Sequence, residues 1–431
     1  MKYTSLEELY KIYLKYPRIS KDSREITNDC IYFALKGENF NGNKFASKAI
    51  ESGAKYAIID EPNYAENEQY LLVENVLSTL QELAKYHRSQ LAIPFIGITG
   101  SNGKTTTKEL INCVLSKSFK TKATKGNYNN HIGVPLTLLE VTQEDEIAII
   151  EMGANHQGEI AFLSSISQPD YGLITNIGKA HLEGFGGIEG IKKGKSELYK
   201  YIEKNGGKIF INHDDNTLNE LSQNLNQIKY GLSNKCYCQG ELKESQPTIL
   251  GQWNCQNQAG RIKAQIFGTY NFFNILAAIC IGNYFKVPSE KIDEAINEYV
   301  PSNNRSQIIK NGNGEIILDA YNANPSSMET ALLNFSKRNG DNKVLILGDM
   351  FELGSTSLVE HKHIIEKVKE LNFDNSTFVG ENFYNFRNDY PQFSFYKNTI
   401  DTKEWYQSLS TVDKQILIKG SRGMKLESLL S

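Results

Sequence analysis

Cysteine is scarce in this chain: six residues, at 30, 113, 236, 238, 255 and 280, among 431. No two have the Cys-x-x-Cys spacing, and Cys236-x-Cys238 alone lacks the spacing of a zinc site. That argues against a disulfide scaffold or a zinc module, and reduced thiols are expected. A long apolar run is also missing. The most apolar stretch, Phe272 to Ile281, is interrupted by Asn274 and falls far short of the roughly 20 residues that cross a bilayer. The N-terminus, MKYTSLEELYKIYLKYPR, carries acidic residues and no apolar core, so it does not read as a secretory leader. An excess of one charge is missing too: 47 Lys and Arg stand against 50 Asp and Glu, a net −3. No broad basic field favours nucleic acid, so an anionic substrate must be gripped by local groups. A soluble, cytoplasmic protein with no membrane insertion is expected. Internal repeats and low-complexity linkers are absent as well.

What is present is length and a steady α/β rhythm. At roughly 150 residues per domain the chain holds about three, and 40% apolar with 23% charged residues suffices for several cores. Residues 1–90 read as a small α/β unit. Its strands are Ile31 to Leu35, Ala57 to Ile59 and Tyr70 to Val73, with helices over Phe45 to Gly53 and Ser78 to Gln90. The second helix puts Leu80, Leu83, Ala84 and His87 on one face. From 91 to 301, apolar strands run repeatedly into polar loops: Phe95 to Thr99, Ile147 to Ile150, Tyr171 to Thr175 and Lys208 to Ile211. That alternation predicts a mainly parallel sheet covered on both faces, with ligands beyond the carboxyl ends of the strands. The polar stretch 232–268 reads as an antiparallel excursion, and Asn271 to Phe285 as a helix. Residues 302–431 form a third unit, with strands at Glu315 to Leu318, Val344 to Leu347 and Gln415 to Ile418.

The first chemical signal is Gly100-Ser101-Asn102-Gly103-Lys104-Thr105-Thr106. It follows an apolar β-branched strand and precedes a helix with Leu110, Ile111, Val114 and Leu115 on one side. Strand, glycine loop, Lys-Thr and helix form the context of a phosphate-binding loop. Backbone N–H groups and the helix N-terminus would face the phosphates. Lys104 would reach the β and γ phosphates, and Thr105 would ligate Mg²⁺. The strict pattern wants glycine where Ile98 stands, so a purely structural turn is the competing reading.

Further strings follow in order: Gly126-Asn127-Tyr128-Asn129-Asn130-His131-Ile132-Gly133-Val134-Pro135, Glu151-Met152-Gly153-Ala154-Asn155-His156, His181-Leu182-Glu183-Gly184-Phe185, Asp319-Ala320-Tyr321-Asn322-Ala323-Asn324-Pro325, Leu347-Gly348-Asp349-Met350 and Lys419-Gly420-Ser421-Arg422. The series resembles the Mur ligases over about residues 22–427. The resemblance implies an α/β fold of three domains. A central P-loop ATPase-like parallel sheet is flanked by a small N-terminal domain for a UDP-muramoyl peptide and a C-terminal Rossmann-like domain. It implies a reaction as well: ATP phosphorylates the terminal carboxylate of UDP-N-acetylmuramoyl-tripeptide. The amine of D-alanyl-D-alanine then attacks the acyl phosphate, giving amide, ADP and phosphate. A monomer is expected. The strings at 126–135 and 153–160 argue against a sister ligase or a folate polyglutamylating enzyme.

The resemblance also implies roles. Glu151 and His181 would hold Mg²⁺ at two sites together with Thr105. Read without the resemblance, a solvated loop glutamate and a core or surface histidine are the alternatives. Lys195, in Gly194-Lys195-Ser196-Glu197, would react with CO₂ to give an anionic carbamate, which needs a pKa lowered from about 10.4. Lys192 and Lys193 are its rivals. Asn271 would contact adenine, or serve as a helix N-cap. Arg305 would hold the γ-phosphate and Asp319 the ribose. Asn322 and Asn324 would lie near ATP or the dipeptide, Asn127 and Asn130 along the peptide channel, and Ser23 and Arg24 at the UDP group. The Lys419 string would either bind ligand or close the C-terminal domain. A nucleotide-binding protein without ligase activity would have no use for Glu151, His181 and Lys195 together.

Overall fold

The computed structural model describes residues 3–245, 248–256, 258–340 and 342–430. Three main sheets follow one another along the chain. The first is parallel, in the order Ile19–Ser20, Ile31–Phe33, Tyr56–Ile59, Tyr70–Leu72. Helix Leu6–Lys15 opens on a capping box of Ser5 and Glu8. Helix Val76–Ser89 begins two residues before the expected start, because the Asn75 side chain accepts from Ser78 N at 2.8 Å and fixes the end there. Leu80, Leu83, Ala84 and His87 are its buried face, as the periodicity required.

The central sheet has nine strands. Their order is Gln258–Ala264, Ile249–Cys255, Cys238–Glu244, Asn226–Gly231, Lys208–Asn212, Tyr171–Ile174, Phe95–Thr99, Ile147–Glu151, Thr121–Ala123. Only the pairings at the 238–264 end are antiparallel. Phe95–Thr99 and Ile147–Glu151 are buried at every position, as strands covered on both faces must be. Helices Lys104–Ser116 and Tyr270–Tyr284 pack together on one face, where a Cβ on Gly282 would come within 2.3 Å of Val114. The third sheet runs Gln307–Asn311, Gly314–Asp319, Gln415–Lys419, Lys343–Gly348, Ser376–Val379, Ser394–Tyr396, parallel after its first hairpin.

Two expectations change. Cys238 and Cys255 stand directly opposite each other in the antiparallel pair, Cα atoms 4.1 Å apart, and are joined as a disulfide. The hairpin register brings together two thiols that sequence spacing kept unrelated. Cys30, Cys113, Cys236 and Cys280 are free. Asn271 is not an N-cap: the helix starts at Tyr270 with Thr269 before it. Among the described residues, no helix is long and apolar enough to cross a membrane.

The N-terminal unit is fastened to the central one through His87. Tyr13 donates its hydroxyl to the Leu139 carbonyl at 2.8 Å, and His87 Nε2 lies 2.8 Å from the Val141 carbonyl. Burial pushes the His87 pKa below its usual value, against the Val141 carbonyl, which favours the charged ring. The unfolded chain therefore binds this proton more readily than the folded one. Stability is lost as pH falls below about 6.5, the unfolded value, toward the lower folded value. Calorimetric melting at pH 7.5 and 5.5 should show a smaller acid-induced drop in Tm for His87→Gln than for the wild type.

Candidate active site

A cleft of about 930 Å³ opens beyond the carboxyl ends of the central strands, with the C-terminal unit as its far wall. Its floor is the loop from Gly100 to Thr106. The chain reverses there with φ of 140° at Gly100 and 80° at Gly103, conformations open to glycine. A Cβ on Gly100 would lie 2.0 Å from the Thr175 hydroxyl, which donates to the Asn102 carbonyl at 2.6 Å. Asn176 completes the clasp: its Oδ1 accepts from Asn102 N at 3.1 Å and its Nδ2 donates to Asn102 O at 2.9 Å. Lys104 folds its ammonium back onto the Gly100 and Ser101 carbonyls, at 2.7 and 3.2 Å. Part of this side chain stays open to the cleft, but its ammonium is desolvated, which takes its pKa down to about 8. Glu151 opposes that shift and Arg305 adds to it.

Glu151 ends its strand 1% exposed. Its Oε1 accepts from Asn129 Nδ2 at 2.7 Å and from the Thr105 hydroxyl at 3.1 Å. Its Oε2 is buried with no partner. An ionised oxygen left without a hydrogen bond in the interior is costly, so this atom fits a cation beside the phosphate loop. Among the described residues, no group of three or more His, Cys, Asp or Glu could hold a metal by itself. Mg²⁺ needs no such group, being usually held by one or two protein ligands, substrate phosphates and water. His181 lines the same cleft in a left-handed conformation, φ 54°. The Glu352 carboxylate of the C-terminal unit lies against its Nδ1, and this contact with the imidazole holds the Glu352 pKa below the usual carboxylate range.

Lys195 is 1% exposed and sits behind this wall rather than on it. Its ammonium donates to the Ala154 carbonyl at 3.1 Å and lies 4.9 Å from the centre of the Phe185 ring. Burial first, then the charge of Lys104, push its pKa well below the lysine value. Lys192, the first rival, is paired with Glu189 near the surface. Lys193 is exposed.

The nucleotide side of the cleft is polar and interlocked. Asn271 donates to the Phe267 carbonyl at 2.7 Å and accepts from Asn274 at 2.8 Å. Arg305 lays its guanidinium 3.6 Å from the centre of the Tyr321 ring, with its Nε unpartnered. Asp319 accepts from Ser306 N at 3.1 Å and from Lys419 Nζ at 2.6 Å. Asn324 caps helix Pro325–Ser336 and donates to Asn102 Oδ1 at 2.8 Å. Asn322 is exposed, its Oδ1 accepting from Ala323 N.

The remaining substrate candidates divide. Asn127 and Asn130 line the cleft, but the Asn130 carboxamide already caps Ile132 N and Gly133 N. Ser23 and Arg24 do not line it. Arg24 leaves 82% of its side chain in solvent and pairs with Asp22. Residues that sequence reasoning passed over include Asn129, Thr124, whose hydroxyl accepts from Glu151 N at 3.0 Å, and Asn176. Asn129 stood in plain view within the 126–135 string. No signal in the sequence tied it to Glu151.

Fold and cleft together define a phosphate-loop nucleotide enzyme built of three α/β units. Family models described as Mur ligase family catalytic domain, Mur ligase middle domain, and Mur ligase glutamate ligase domain match residues 15–88, 98–282 and 304–422. The chain belongs to the Mur ligase family. It is 34% identical to the UDP-N-acetylmuramoyl-tripeptide–D-alanyl-D-alanine ligase of Bacillus subtilis over 96% of this chain and 92% of that one. It is 32% identical to the Escherichia coli ligase of that name over 84% and 81%. A crystal structure of MurF from Acinetobacter baumannii superposes with TM-score 0.86 at 31% identity, covering 96% of this chain and 92% of that one. MurF ligase from Thermotoga maritima in complex with ADP gives 0.82 at 25% identity, covering 97% of each. A folylpolyglutamate synthase of Mycobacterium tuberculosis, at 12% identity and TM-score 0.63 over 81% of this chain and 92% of that one, shares the fold alone.

Gly100→Ala tests the floor directly. Left-handed strain and the clash with Thr175 should cost about 2 kcal/mol or more of stability, and a fluorescent ADP analogue should bind at least about tenfold more weakly. Unchanged binding would remove this loop from the nucleotide site.

Proposed function

We propose that this chain joins D-alanyl-D-alanine to UDP-N-acetylmuramoyl-tripeptide through an acyl phosphate, consuming ATP and releasing UDP-N-acetylmuramoyl-pentapeptide, ADP and phosphate in the cytoplasm. The observation that carries the reading is the unpaired Glu151 oxygen beside the phosphate loop, in a chain that matches the ligases of that name over nearly its whole length. The division into 1–90, 91–301 and 302–431, with one chain as the working unit, belongs to the same proposal.

In this reading the loop from Gly100 to Thr106 takes the ATP phosphates, and Asn322 and Asn324 lie near the ATP or the incoming dipeptide. Lys104 leaves its own carbonyls for the β and γ oxygens, and phosphate charge raises its pKa again, so the ammonium stays charged where it is used. Thr105, Glu151 and His181, with Lys195 as a carbamate, are the residues that would hold Mg²⁺. That ion would neutralise charge on the phosphoryl group in transfer. Lys195 suits carbamate formation because desolvation favours the neutral amine that attacks CO₂, releasing one proton. Arg305, with Nε free, would hold the γ-phosphate. Asn271 would meet the adenine and Asp319 the ribose; a carboxylate has about four acceptor sites, so its bonds to Ser306 and Lys419 leave room. Asn127 and Asn130 would line the peptide channel, and Ser23 and Arg24 would meet the UDP group.

The test is phosphate release with product mass. ATP turnover should need both UDP-muramoyl tripeptide and D-alanyl-D-alanine. Equal turnover with a single amino acid in place of the dipeptide would sink the reading. Lys104→Ala should slow turnover by at least about a hundredfold, or ~2.7 kcal/mol. Lys195→Ala should be inactive, unaffected by bicarbonate and partly restored by a short carboxylic acid. Full activity without the acid would reject the carbamate.

A further inference from the structure

Among the described residues, one hydrogen bond joins the C-terminal unit to the phosphate loop. Asn324 Nδ2 donates to Asn102 Oδ1 at 2.8 Å, across 222 residues of sequence. The backbone of Asn102 is already held by Thr175 and Asn176 of the central sheet. Its side chain is the part that reaches outward. Next to it, Ser326 Oγ accepts from Lys179 N at 2.9 Å, and Lys179 Nζ pairs with Glu360 at 2.8 Å. Gly178 lies beneath this seam: a Cβ there would sit 3.2 Å from Ser326 Oγ and 3.3 Å from Asn102 Nδ2. The two units therefore meet closely, and the contact includes the loop that holds phosphate.

We propose that Asn324 is a positioning residue that makes the seating of the phosphate loop depend on docking of the C-terminal unit. The inference rests on the reading of this cleft as an ATP site. An acyl phosphate formed in an open cleft would meet water, so phosphoryl transfer gains from waiting for closure. An amide-to-amide bond suits the task. It is neutral, so it does not compete for the phosphates. It is also directional, so it forms only when helix Pro325–Ser336 is in place.

Asn324 has a second duty that a test must separate. Its Oδ1 accepts from Ser327 N at 2.9 Å and caps the helix. Serine is an equally good cap but shorter, so Asn324→Ser keeps the cap and loses Asn102. With a non-hydrolysable ATP analogue bound, hydrogen exchange in the segment 98–105 should be about three- to tenfold faster in Asn324→Ser than in wild type, the range that one neutral hydrogen bond supplies. Exchange in 325–336 should not change. In turnover, kcat should fall by a similar factor while KM for ATP stays within about twofold. Asn102→Ala should give the same loss, and the double variant no more than either alone. Wild-type exchange at the loop in Asn324→Ser, additive losses, or faster exchange throughout 325–336 would each overturn the proposal. An analogue that fails to protect the wild-type loop would overturn both this inference and the ATP site. Loop protection with no pentapeptide formed would instead overturn only the assigned substrates, because the exchange comparison does not use them.

Discussion

One buried carboxylate organises the centre of this protein. Glu151 is carried to the end of an interior strand and left with one oxygen satisfied and the other bare. Such a group is expensive unless neighbours compensate it, and the surrounding sequence supplies those neighbours. Asn129 reaches Glu151 because Gly153 carries no side chain: a Cβ there would lie 2.8 Å from Asn129 Oδ1. Gly153 N also donates to the Asn129 carbonyl at 2.8 Å. The loop that presents Asn129 can fold back only because residue 133 is glycine, where a Cβ would stand 2.4 Å from the Tyr128 backbone. The strings at 126–135 and 151–153, separate in sequence, are thus one physical unit whose product is a fixed carboxylate beside Thr105.

The cations obey the complementary constraint. A chain with net charge −3 has no broad positive field with which to collect a nucleotide, so its positive groups must be local and desolvated. Lys104 and Lys195 lie near enough for the charge of the first to depress the second, and burial depresses both. Lys195 avoids the cost of a second buried charge by favouring the neutral amine, whereas the Lys104 ammonium weighs against the folded state until an anion such as phosphate offsets it.

The sequence made much of the scaffold readable because buried parallel strands announce themselves as short apolar runs ending in polar residues. Phe95–Thr99 was legible residue for residue, and the six other strands expected in the two larger sheets shifted at their ends by one residue, whereas Asn226–Gly231, Gln307–Asn311 and Ser376–Val379 were not expected. Short edge strands such as Thr121–Ala123 and Ser394–Tyr396 were not legible, since neither carries a long apolar run. The sequence singled out Gly100 and Gly103 by their backbone constraint and Glu151 and Lys195 by an ordered series of motifs; Gly103 and Glu151 line the cleft, whereas Lys195 is buried behind its wall. Partnerships were not. Nothing in the chain before folding joins Asn129 to Glu151, Lys419 to Asp319, or Cys238 to Cys255. Each pairing is a consequence of register or of a loop turning back, and so belongs to tertiary structure.

The joints between units differ in kind, and the difference says where motion belongs. One hydrophobic core runs without a break from Leu9, Tyr13 and Leu80 of the N-terminal unit into Phe95, Ile150 and Ile202 of the central sheet. Separating those units would expose apolar surface at about 25 cal/mol per Å², so they should move as one body. The C-terminal joint is mostly polar: Lys179 with Glu360, Ser326 with Lys179 N, Asn324 with Asn102, and Glu352 against His181. Among the described residues, only Phe267 and Leu182 pass apolar surface into the C-terminal core. Polar contacts can be exchanged for water at little net cost, which makes this joint the one able to open for substrates and close for chemistry. The phosphate loop lies on the rigid side of that joint and is touched from the mobile side, as sensing closure requires.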